Sequence, residues 1–321
     1  MRIQKIQRPS KNAINRALLL DDNSPASVYF KRTALKKFAL NKDCVLYIAR
    51  KGRSMVGYAL FCCLKWDSSI FGLKIGRIER LSMKMRFEDM SCFIGEIIKD
   101  CSEEGYAHIV CRTGIRDINN IRLLEKAGFT VADVQLTLST SGNWREACRG
   151  TVLTKTIITQ ATKGDLPALK DLVRGVFTDT RFVTDERYPK DKVDFMYYKW
   201  LGEAISSPDR KLFIARNRKG GAAGFVLCDI ARDSKNMLGA AIGSIGLIAV
   251  SKSCRRRGIG QELVKFALLH FKKEGVDKVE IRTQLSNIPA LRAFTGSGLS
   301  EITSGIVLPA GITMHYWFSR R

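Results

Sequence analysis

The stretch VSKSCRRRGIGQEL, residues 250–263, decides how the second half of the chain folds. It follows an alternating apolar segment, 240–250, that predicts a strand, and it leads into a segment whose apolar residues recur at helical spacing. Between them lies the pattern Arg255-x-x-Gly258-x-Gly260. Glycines let a backbone turn tightly and bring its N–H groups to a ligand, while a helix N-terminus adds partial positive charge. The pattern therefore predicts a turn that binds a pyrophosphate.

Other interpretations of this turn have to be weighed. A basic strand-to-helix turn without a ligand shows the same short pattern. A dinucleotide-binding fold is disfavoured because GxGxxG is absent and because segments 211–216 and 222–230 predict a hairpin rather than a doubly wound sheet. No lysine stands where a Walker-type phosphate loop needs one. The choice between a ligand site and a plain turn therefore depends on the elements around it.

Those elements recur, in weaker form, in the first half of the chain. The helix-exit segments NNIRLLEKAGF (119–129) and NIPALRAFTGSGL (287–299) both close on glycine followed by an apolar residue. A polar segment, 143–150, separates the two halves. We therefore predict an α/β (α+β) fold of two tandem domains, 1–145 and 151–321. Each is expected to be a mostly antiparallel mixed sheet flanked by helices, with the N-terminal copy degenerate.

Composition excludes several protein classes. A chain of 321 residues with 45% apolar and 26% charged residues is long enough for two globular domains. The basic start leads into no signal-peptide core and no apolar run is long enough to cross a bilayer, so we expect a cytoplasmic protein without membrane insertion. Nine cysteines without CxxC spacing and only three histidines predict reduced thiols and no metal site.

The charge of the chain is strongly positive. The net charge of +23, from 54 Lys and Arg against 31 Asp and Glu, predicts attraction for anions such as nucleotide phosphates, nucleic acid or an acidic surface. The basic residues are spread along the whole chain and accompany no motif of a nucleic-acid-binding domain. We therefore do not expect nucleic acid as the partner, although a basic nucleic-acid-associated module stays an alternative.

The second half resembles the GCN5-related N-acetyltransferase superfamily, whose signature turn binds the pyrophosphate of acetyl-CoA. The resemblance lies in the order of its elements: a strand, the Arg-x-x-Gly-x-Gly turn, a helix, a second strand and Asn-x-x-Ala. The resemblance implies acetyl-CoA as co-substrate. It also implies that the backbone of the strand before the turn pairs with the pantetheine amides like an added strand. The cofactor-binding residues implied in this way are Leu247, Ile248, Val250, Arg255, Arg256, Arg257, Gly258, Ile259, Gly260 and Asn287.

More narrowly, the chain is similar to the dTDP-fucosamine acetyltransferase family, which acetylates the amine of a nucleotide-linked deoxy sugar and has a degenerate first domain. The similarity is carried by WDSSIFG (66–72), AGF (127–129), TRF (180–182) and a terminal Tyr-Trp pair. It implies that the first half, which lacks a glycine turn and is not expected to bind CoA, forms one wall of the acceptor site. Aromatic residues at element ends are also common in cores. The substrate-binding residues implied are Trp66, Phe71, Arg181 and Phe182.

Amide formation from a thioester needs a neutral amine, a polarised carbonyl and a proton for the departing thiolate. The superfamily often takes that proton from a tyrosine, and counting from Asn287 this position holds Phe294, which cannot donate one. Tyr316 or a water could supply the proton instead, or the thiolate could leave unassisted. The acidic residue that follows the Gly-Phe step of the related family corresponds to Asp133, the candidate base. An exposed aspartate at a strand end can also be merely solvated.

These observations predict an acyl-CoA-dependent N-acetyltransferase that moves an acetyl group from acetyl-CoA to a primary amine, with a dTDP-linked deoxy amino sugar as the first candidate acceptor. A peptide, ribosomal or small-molecule amine is the nearest alternative. A weakly catalytic acyl-CoA sensor is a further one. The expected partner is the small-molecule or sugar-nucleotide amine, and a homodimer is left open.

Overall fold

The computed structural model describes residues 1–140, 142–148, 153, 156–303 and 311–318, with the backbone alone at 300–303. By packing, the chain forms two compact units. The first consists of 1–134 together with 311–321, and the second of 135–310.

The first half of the chain alternates strands with helices that cover them. Segments missed by the sequence analysis, 2–7, 11–18 and 25–38, supply a strand and two helices ahead of the first hairpin. In chain order the elements are β1 (Arg2–Gln7), α1 (Lys11–Leu18), α2 (Pro25–Phe38), β2 (Cys44–Lys51), β3 (Ser54–Cys63), α3 (Lys65–Phe71), β4 (Ile75–Met83), α4 (Phe87–Glu103), β5 (His108–Thr113), α5 (Ile118–Lys126) and β6 (Thr130–Thr140).

None of the helices in the described ranges has both the length and the apolar character needed to cross a membrane.

The second half of the chain repeats the order of strands and helices seen in the first half. The elements are α6 (Trp144–Ala147), β7 (Ile157–Gln160), α7 (Leu166–Val173), α8 (Arg181–Thr184), α9 (Lys190–Ile205), β8 (Arg210–Arg216), β9 (Ala222–Ala231), α10 (Asp233–Leu238), β10 (Ile242–Val250), α11 (Ile259–Lys273), β11 (Lys278–Gln284), α12 (Ile288–Thr295), β12 (Leu299–Thr303) and β13 (Gly311–Trp317).

The sheet of the first unit has the strand order β1-β2-β3-β4-β5-β13. Its neighbours are antiparallel except β4 and β5, which pair in parallel. Because side chains alternate along a strand, Val45 and Tyr47 face the core under α4 and α5, while Leu46 and Ile48 face the core under α1 and α2. Both faces of this sheet are therefore covered by helices.

The sheet of the second unit has the order β6-β11-β10-β9-β8-β7, with β12 also paired to β6. Again one pair, β10 and β11, is parallel. Helices α11 and α12 share a core with Val226 and Cys228 of β9. On the opposite face, Phe225 of β9 contacts Phe177, which in turn lies 4.1 Å from Tyr197 of α9 between ring centroids. This repeat of hairpin, strand, helix, parallel strand and helix is the architecture that the sequence predicts.

The bounds of the two units differ from the contiguous division at 145 and 151. Residues 135–148 pack in the second unit and 311–317 in the first, so each sheet is completed by a strand from the other half of the sequence. An alternating pattern predicts that a segment is a strand but not which edge it joins. The edge strand of the second sheet, β7, spans Ile157–Gln160.

Two of the nine cysteines differ from the prediction that all are reduced. Cys44 and Cys62 form a disulfide, whereas the sequence analysis expects all nine cysteines to be reduced thiols. The register of the hairpin places Cys44 on β2 directly opposite Cys62 on β3, so the two sulfur atoms meet across the pair of strands. The other seven cysteines are free. A separation of 18 residues in the sequence does not reveal this contact.

Met314 tests the assignment of the last strand to the first unit. It is buried in the core of that unit, and a buried Met→Ala change leaves a cavity. Met314→Ala is therefore expected to lower the free energy of unfolding by about 2–5 kcal/mol in urea denaturation. The control Leu285→Ala, at a side chain that is 49% exposed, should change it by about 0.5 kcal/mol or less.

Hydrogen exchange shows where the Met314→Ala effect falls. The amides of 108–113, which pair with β13, should exchange faster, while those of 278–284 keep their protection. Faster exchange confined to 278–284 would contradict the assignment of β13.

Candidate active site

An opening forms in the second unit where β10 and β11 separate. Their parallel ladder joins 242–245 to 278–281 and ends there, while β11 continues along β6 as far as Gln284. On its other side, β10 stays paired with β9 up to Val250. In the described part of the chain, the edge of β10 from Gly246 onward has no strand partner. Its backbone N–H and C=O groups can therefore pair with an extended ligand.

A β-bulge starts this opening. The register between β9 and β10 shifts between Ile245 and Leu247, which leaves Gly246 as the extra residue. Bulges bend a strand and increase its twist, and here the bend turns β10 away from β11. Leu247, Ile248 and Val250, which the sequence analysis assigns to the cofactor, all lie on β10 beyond the bulge and are half-buried.

The turn after β10 bends through two left-handed residues, Arg256 with φ 60° and Gly258 with φ 76°. Gly258 stands at the N-cap of α11, where no side chain forms a cap hydrogen bond. The first N–H groups of an α-helix have no acceptor within the helix. These groups, together with the positive end of the helix dipole, fit an anion such as a pyrophosphate.

The three arginines of the turn have different surroundings. Arg255 donates from its guanidinium to the carbonyl oxygens of Val176, at 3.2 Å, and Val250, at 3.4 Å. It therefore holds the turn against the segment that follows α7, and the ligand contact implied by the resemblance stays a prediction. Arg256 and Arg257 are exposed and add positive charge at the surface of the turn.

Ile259 and Gly260 begin α11. Ile259 is buried in the core under the helix, so its side chain supports the turn from below. A Cβ placed on Gly260 would make only ordinary contacts, 3.7 Å from Val250 and 3.9 Å from Ala293. Packing within the chain therefore does not require a glycine at 260.

Asn287 and Phe294, at the two ends of α12, are used structurally. The Asn287 side chain accepts the N–H of Ala290 at 3.2 Å and caps the helix, just as Asp117 caps α5 in the first unit by accepting from Asn120. Phe294 is 2% exposed and packs in the core between α11 and α12. The position where the superfamily often carries a tyrosine is thus filled by a core side chain.

The two predicted catalytic residues lie in the first unit. Asp133, on β6, is buried, which corrects the expectation of an exposed carboxylate. Tyr316, on β13, is half-buried, and its ring packs over Gly128 and lies 5.3 Å from the ring of Phe129. The catalytic roles of Asp133 and Tyr316 stay predictions.

The predicted aromatic acceptor residues of the first unit lie on α3. Phe71 is buried, so its ring contributes to the core, unlike the ligand platform that the resemblance implies. Trp66 is half-buried at the start of the same helix. Gly72 then ends the helix in the left-handed conformation, with φ 68°.

Arg181, on α8, is a buried cation. Its side chain lies over the ring of Phe182, with 4.1 Å between the guanidinium carbon and the ring centroid. The residue is only 8% exposed, and among the described residues no carboxylate pairs with it and its Nε has no hydrogen-bond partner. Nearby, Tyr197 donates a hydrogen bond to Thr180 at 3.1 Å and fixes this segment against α9. A buried cation without a counter-charge fits an anionic ligand.

Asp229, on β9, is a carboxylate that the sequence analysis missed. Its Oδ1 lies 3.2 Å from Nε of Arg210 on the neighbouring strand, and burial raises the pKa of Asp229 to about 6 against the opposing effect of that arginine. A signal existed in the sequence, because this aspartate interrupts the apolar strand AAGFVLCDIA, 222–231. A charged side chain inside such a strand is uncommon.

Comparison with known proteins gives a family match for the part of the chain that contains this geometry. Residues 169–298 match the model of the Acetyltransferase (GNAT) family. This segment is a GNAT acetyltransferase domain. It contains the opening along β10, the turn and α11, which are the features that the sequence analysis assigns to the donor site.

Relatives outside the family match extend the similarity to the rest of the chain. The dTDP-fucosamine acetyltransferase of Escherichia coli O6:H1 strain CFT073 is 25% identical over 236 residues, which cover 73% of this chain and 91% of that protein. A GCN5-related N-acetyltransferase from Sphaerobacter thermophilus has a TM-score of 0.61 at 15% identity, over 98% of this chain and 95% of that one. A tandem GNAT protein from the clavulanic acid biosynthesis pathway has a TM-score of 0.57 at 12% identity, over 98% of both chains.

The GNAT domain makes this chain an acyl-CoA-dependent N-acetyltransferase with acetyl-CoA as the acyl donor. The chain fits that donor, since the free edge of β10 offers backbone groups to the pantetheine amides and the N-terminus of α11 offers N–H groups to the pyrophosphate. The predicted tandem fold is confirmed by the structural neighbours, which cover nearly the whole chain.

Gly258 tests the turn. At φ 76° a β-branched side chain is strained, so Gly258→Val is expected to distort the N-terminus of α11 and weaken acetyl-CoA binding at least about tenfold by calorimetry. Gly239→Val is the matched control, because Gly239 has the same φ of 76° at the end of α10, away from the turn. Equal acetyl-CoA affinity in the two folded variants would show that the turn does not bind the donor.

Proposed function

We propose that this N-acetyltransferase acetylates the amino group of a dTDP-linked deoxy amino sugar. The observation that carries the proposal is Arg181, a buried guanidinium without a carboxylate partner among the described residues. Removing one charge of a buried pair costs several kcal/mol because the remaining charge is uncompensated. A site with such a cation is stabilised by an acceptor that brings its own negative charge, as the diphosphate of a nucleotide-linked sugar does.

The surroundings of Arg181 support the same class of acceptor. The half-buried ring of Phe182 lies beside the guanidinium and 5.3 Å from the ring of Tyr188 in an edge-on arrangement. Such a ring offers an apolar face to a nucleobase or a deoxy sugar. The net charge of +23 adds a long-range attraction for a dianionic substrate. A cationic amine without a phosphate would be repelled by the net positive charge.

The name of one relative supports the acceptor independently. The protein from Escherichia coli is a dTDP-fucosamine acetyltransferase, and its similarity spans both units of this chain rather than the donor site alone. For the donor, we assign the pantetheine to the backbone of Leu247, Ile248 and Val250, and the pyrophosphate to the turn that ends at Gly260. Arg255 and Asn287 shape that site by holding the turn and α12.

A thiol-release assay with a panel of amines tests the acceptor. The expected result is a kcat/KM for dTDP-linked amino sugars at least about a hundredfold above that for the same sugars without the nucleotide, as a charged contact of roughly 3 kcal/mol would produce. Equal or better turnover of peptides or simple amines would transfer the assignment to those acceptors. Binding of acetyl-CoA without turnover of any amine would identify a sensor.

Arg181→Met separates the role of this cation in binding from a structural role. The KM for a dTDP-linked amino sugar is expected to rise about 10- to 100-fold while the KM for acetyl-CoA stays unchanged, because the variant removes a charge-assisted contact to the acceptor alone. Thermal stability should not fall, since a buried unpaired charge is replaced by an apolar side chain of similar length.

Arg187→Met is the matched control for this variant. Arg187 lies six residues away, is half-exposed and pairs with Asp185 at 2.7 Å, so its loss should leave both KM values unchanged. Equal effects of the two substitutions would argue against a specific acceptor contact at Arg181.

A further inference from the structure

We propose that Asp229 is the general base that takes a proton from the acceptor amine. The inference rests on acetyl transfer to an amine and does not depend on which amine is the acceptor. It is drawn from the place of this carboxylate beside the bulge that opens the donor site, from its exposure and from its buried oxygen.

Gly246 creates the space that Asp229 occupies. The extra residue of the bulge is a glycine, and a Cβ placed on it would overlap Oδ2 of Asp229. Gly246 does not have a positive φ, so its backbone conformation alone would accept alanine. The carboxylate of Asp229 therefore fills the volume where the side chain of the bulge residue would otherwise lie, and a larger residue at 246 would have to displace it.

This carboxylate stands at the end of the donor site where the acyl group belongs. The turn that binds the pyrophosphate follows Val250, and a donor arm that runs back along the free edge of β10 reaches Gly246 after four residues, about 13 Å. At that point β10 and β11 separate, so the arm can extend no further between them. The thioester and the attacking amine therefore meet close to Gly246, which Asp229 contacts.

Asp229 also lies on the face of the sheet opposite to α11. Side chains alternate along β9, so Phe225, Leu227 and Asp229 share one face, while Val226 and Cys228 face α11. The shared face is the one that Phe177 and α9 cover, and α8 with Arg181 is tied to α9 through the hydrogen bond of Thr180. The carboxylate and the proposed acceptor-binding segment are thus on the same side of the sheet.

The electrostatics of Asp229 suit a base that works near neutral pH. Oδ1 is buried and pairs with Nε of Arg210 at 3.2 Å, but it accepts no hydrogen bond from the described residues, and the side chain as a whole keeps 30% of its surface exposed. The charged group that faces it is Arg210 on β8, and the neighbouring thiol of Cys228 is kept neutral by burial and by the carboxylate itself. With its pKa raised to about 6, Asp229 is ionised at pH 7–8 and still accepts a proton more readily than an ordinary aspartate.

Two protons leave the acceptor nitrogen during the acetyl transfer. The carboxylate of Asp229 takes one proton from the acceptor ammonium, and the freed lone pair of the nitrogen forms a bond to the thioester carbonyl carbon. The C–S bond then breaks, its electron pair leaves with sulfur, and the thiolate gains the second proton released by the nitrogen. The products are the N-acetylated acceptor and CoA thiol, and Asp229 returns its proton to solvent.

A purely structural role for Asp229 makes different demands. A cross-strand ion pair with Arg210, whose side chain is 41% exposed, would not by itself need a glycine at the position that faces Oδ2. A carboxylate held by an arginine and by hydrogen bonds can instead have a lowered pKa, as Asp165 has because its contacts with Thr162 and Arg216 outweigh its burial. Asp229 has the opposite shift because burial outweighs the arginine.

The first test is Asp229→Asn, assayed with whichever amine of the panel the wild type acetylates best. We expect kcat to fall about 10²- to 10³-fold and the acid limb of its pH profile, with an apparent pKa near 6, to disappear. The dissociation constant of acetyl-CoA should stay unchanged. Asp209→Asn, which removes an exposed ion pair with Arg232, is the matched control and should keep the wild-type profile.

The stability of Asp229→Asn provides a check on folding. Because the folded pKa of Asp229 lies above its unfolded value, its contribution to stability is present below about pH 4 and is lost as the pH rises through about 6. The asparagine variant should therefore unfold at the same temperature as the wild type or higher at pH 8. A large kcat loss with a Tm lowered at pH 8 would identify a structural residue and overturn the proposal.

Two further variants separate a base from a positioning group. Added formate, which supplies a carboxylate, should partly restore the rate of Asp229→Ala. By contrast, Asp133→Asn, which changes the base predicted from the sequence, should keep the acid limb in the pH profile of kcat. Gly246→Ala should lower kcat by displacing Oδ2, and it should add little to the loss in Asp229→Ala, because both changes remove the same function. The proposal would be contradicted if the kcat losses of Gly246→Ala and Asp229→Ala were additive and formate did not restore the rate.

One measurement does not need an acceptor. In carbon-13 spectra of aspartate-labelled protein, the signal that Asp229→Asn removes should titrate near pH 6. A midpoint below about pH 5 would overturn the assignment of the base, whatever the acceptor turns out to be. A normal titration together with no turnover of dTDP-linked amines would remove only the proposed acceptor, so the two failures are distinguishable.

Discussion

The bulge at Gly246 is the constraint on which the donor site depends. It bends β10 out of its parallel ladder with β11 after only four residue pairs, and this leaves one edge of a central strand without a partner. Backbone groups buried without hydrogen bonds are costly, so such an edge persists where a ligand or water completes it. The pantetheine arm of acetyl-CoA has amides that can form hydrogen bonds with these backbone groups. Binding of acetyl-CoA by this fold is therefore expected to depend on the bulge in β10.

The two units share an architecture and differ where the donor binds. In the first unit, β4 and β5 form the same short parallel ladder, but the link from β4 to α4 is only residues 84–86 and contains no left-handed residue. In the second unit the link from β10 to α11 is longer, bends through Arg256 and Gly258, and is fastened by Arg255. The proposed pyrophosphate site is therefore a feature of the turn, since the sheet and helix around it are present in both copies.

Three side chains at and near the predicted donor site make contacts within the chain that support it. Arg255 donates to backbone carbonyls, Asn287 caps α12, and Phe294 fills the core under that helix. Such contacts explain why these residue types suit their positions, because a turn that offers only backbone N–H groups has to be held in one conformation by its neighbours. The chemistry then passes to groups that short motifs do not mark, such as Asp229 and Arg181.

Acetyl-CoA as the donor came from a family resemblance, whereas the sequence by itself determined the fold class, the order of the main strands and helices from residue 44 onward, and the position of the turn. These features are written in local patterns: alternation for strands, helical spacing for α4 and α11, and glycines where the backbone needs a left-handed residue. Only the tertiary structure decided that β13 belongs to the first unit, that Cys44 meets Cys62, and that Gly246 makes room for Asp229. Each of these is a contact across strands, and strand register is set by burial over a whole sheet rather than by neighbours in the chain.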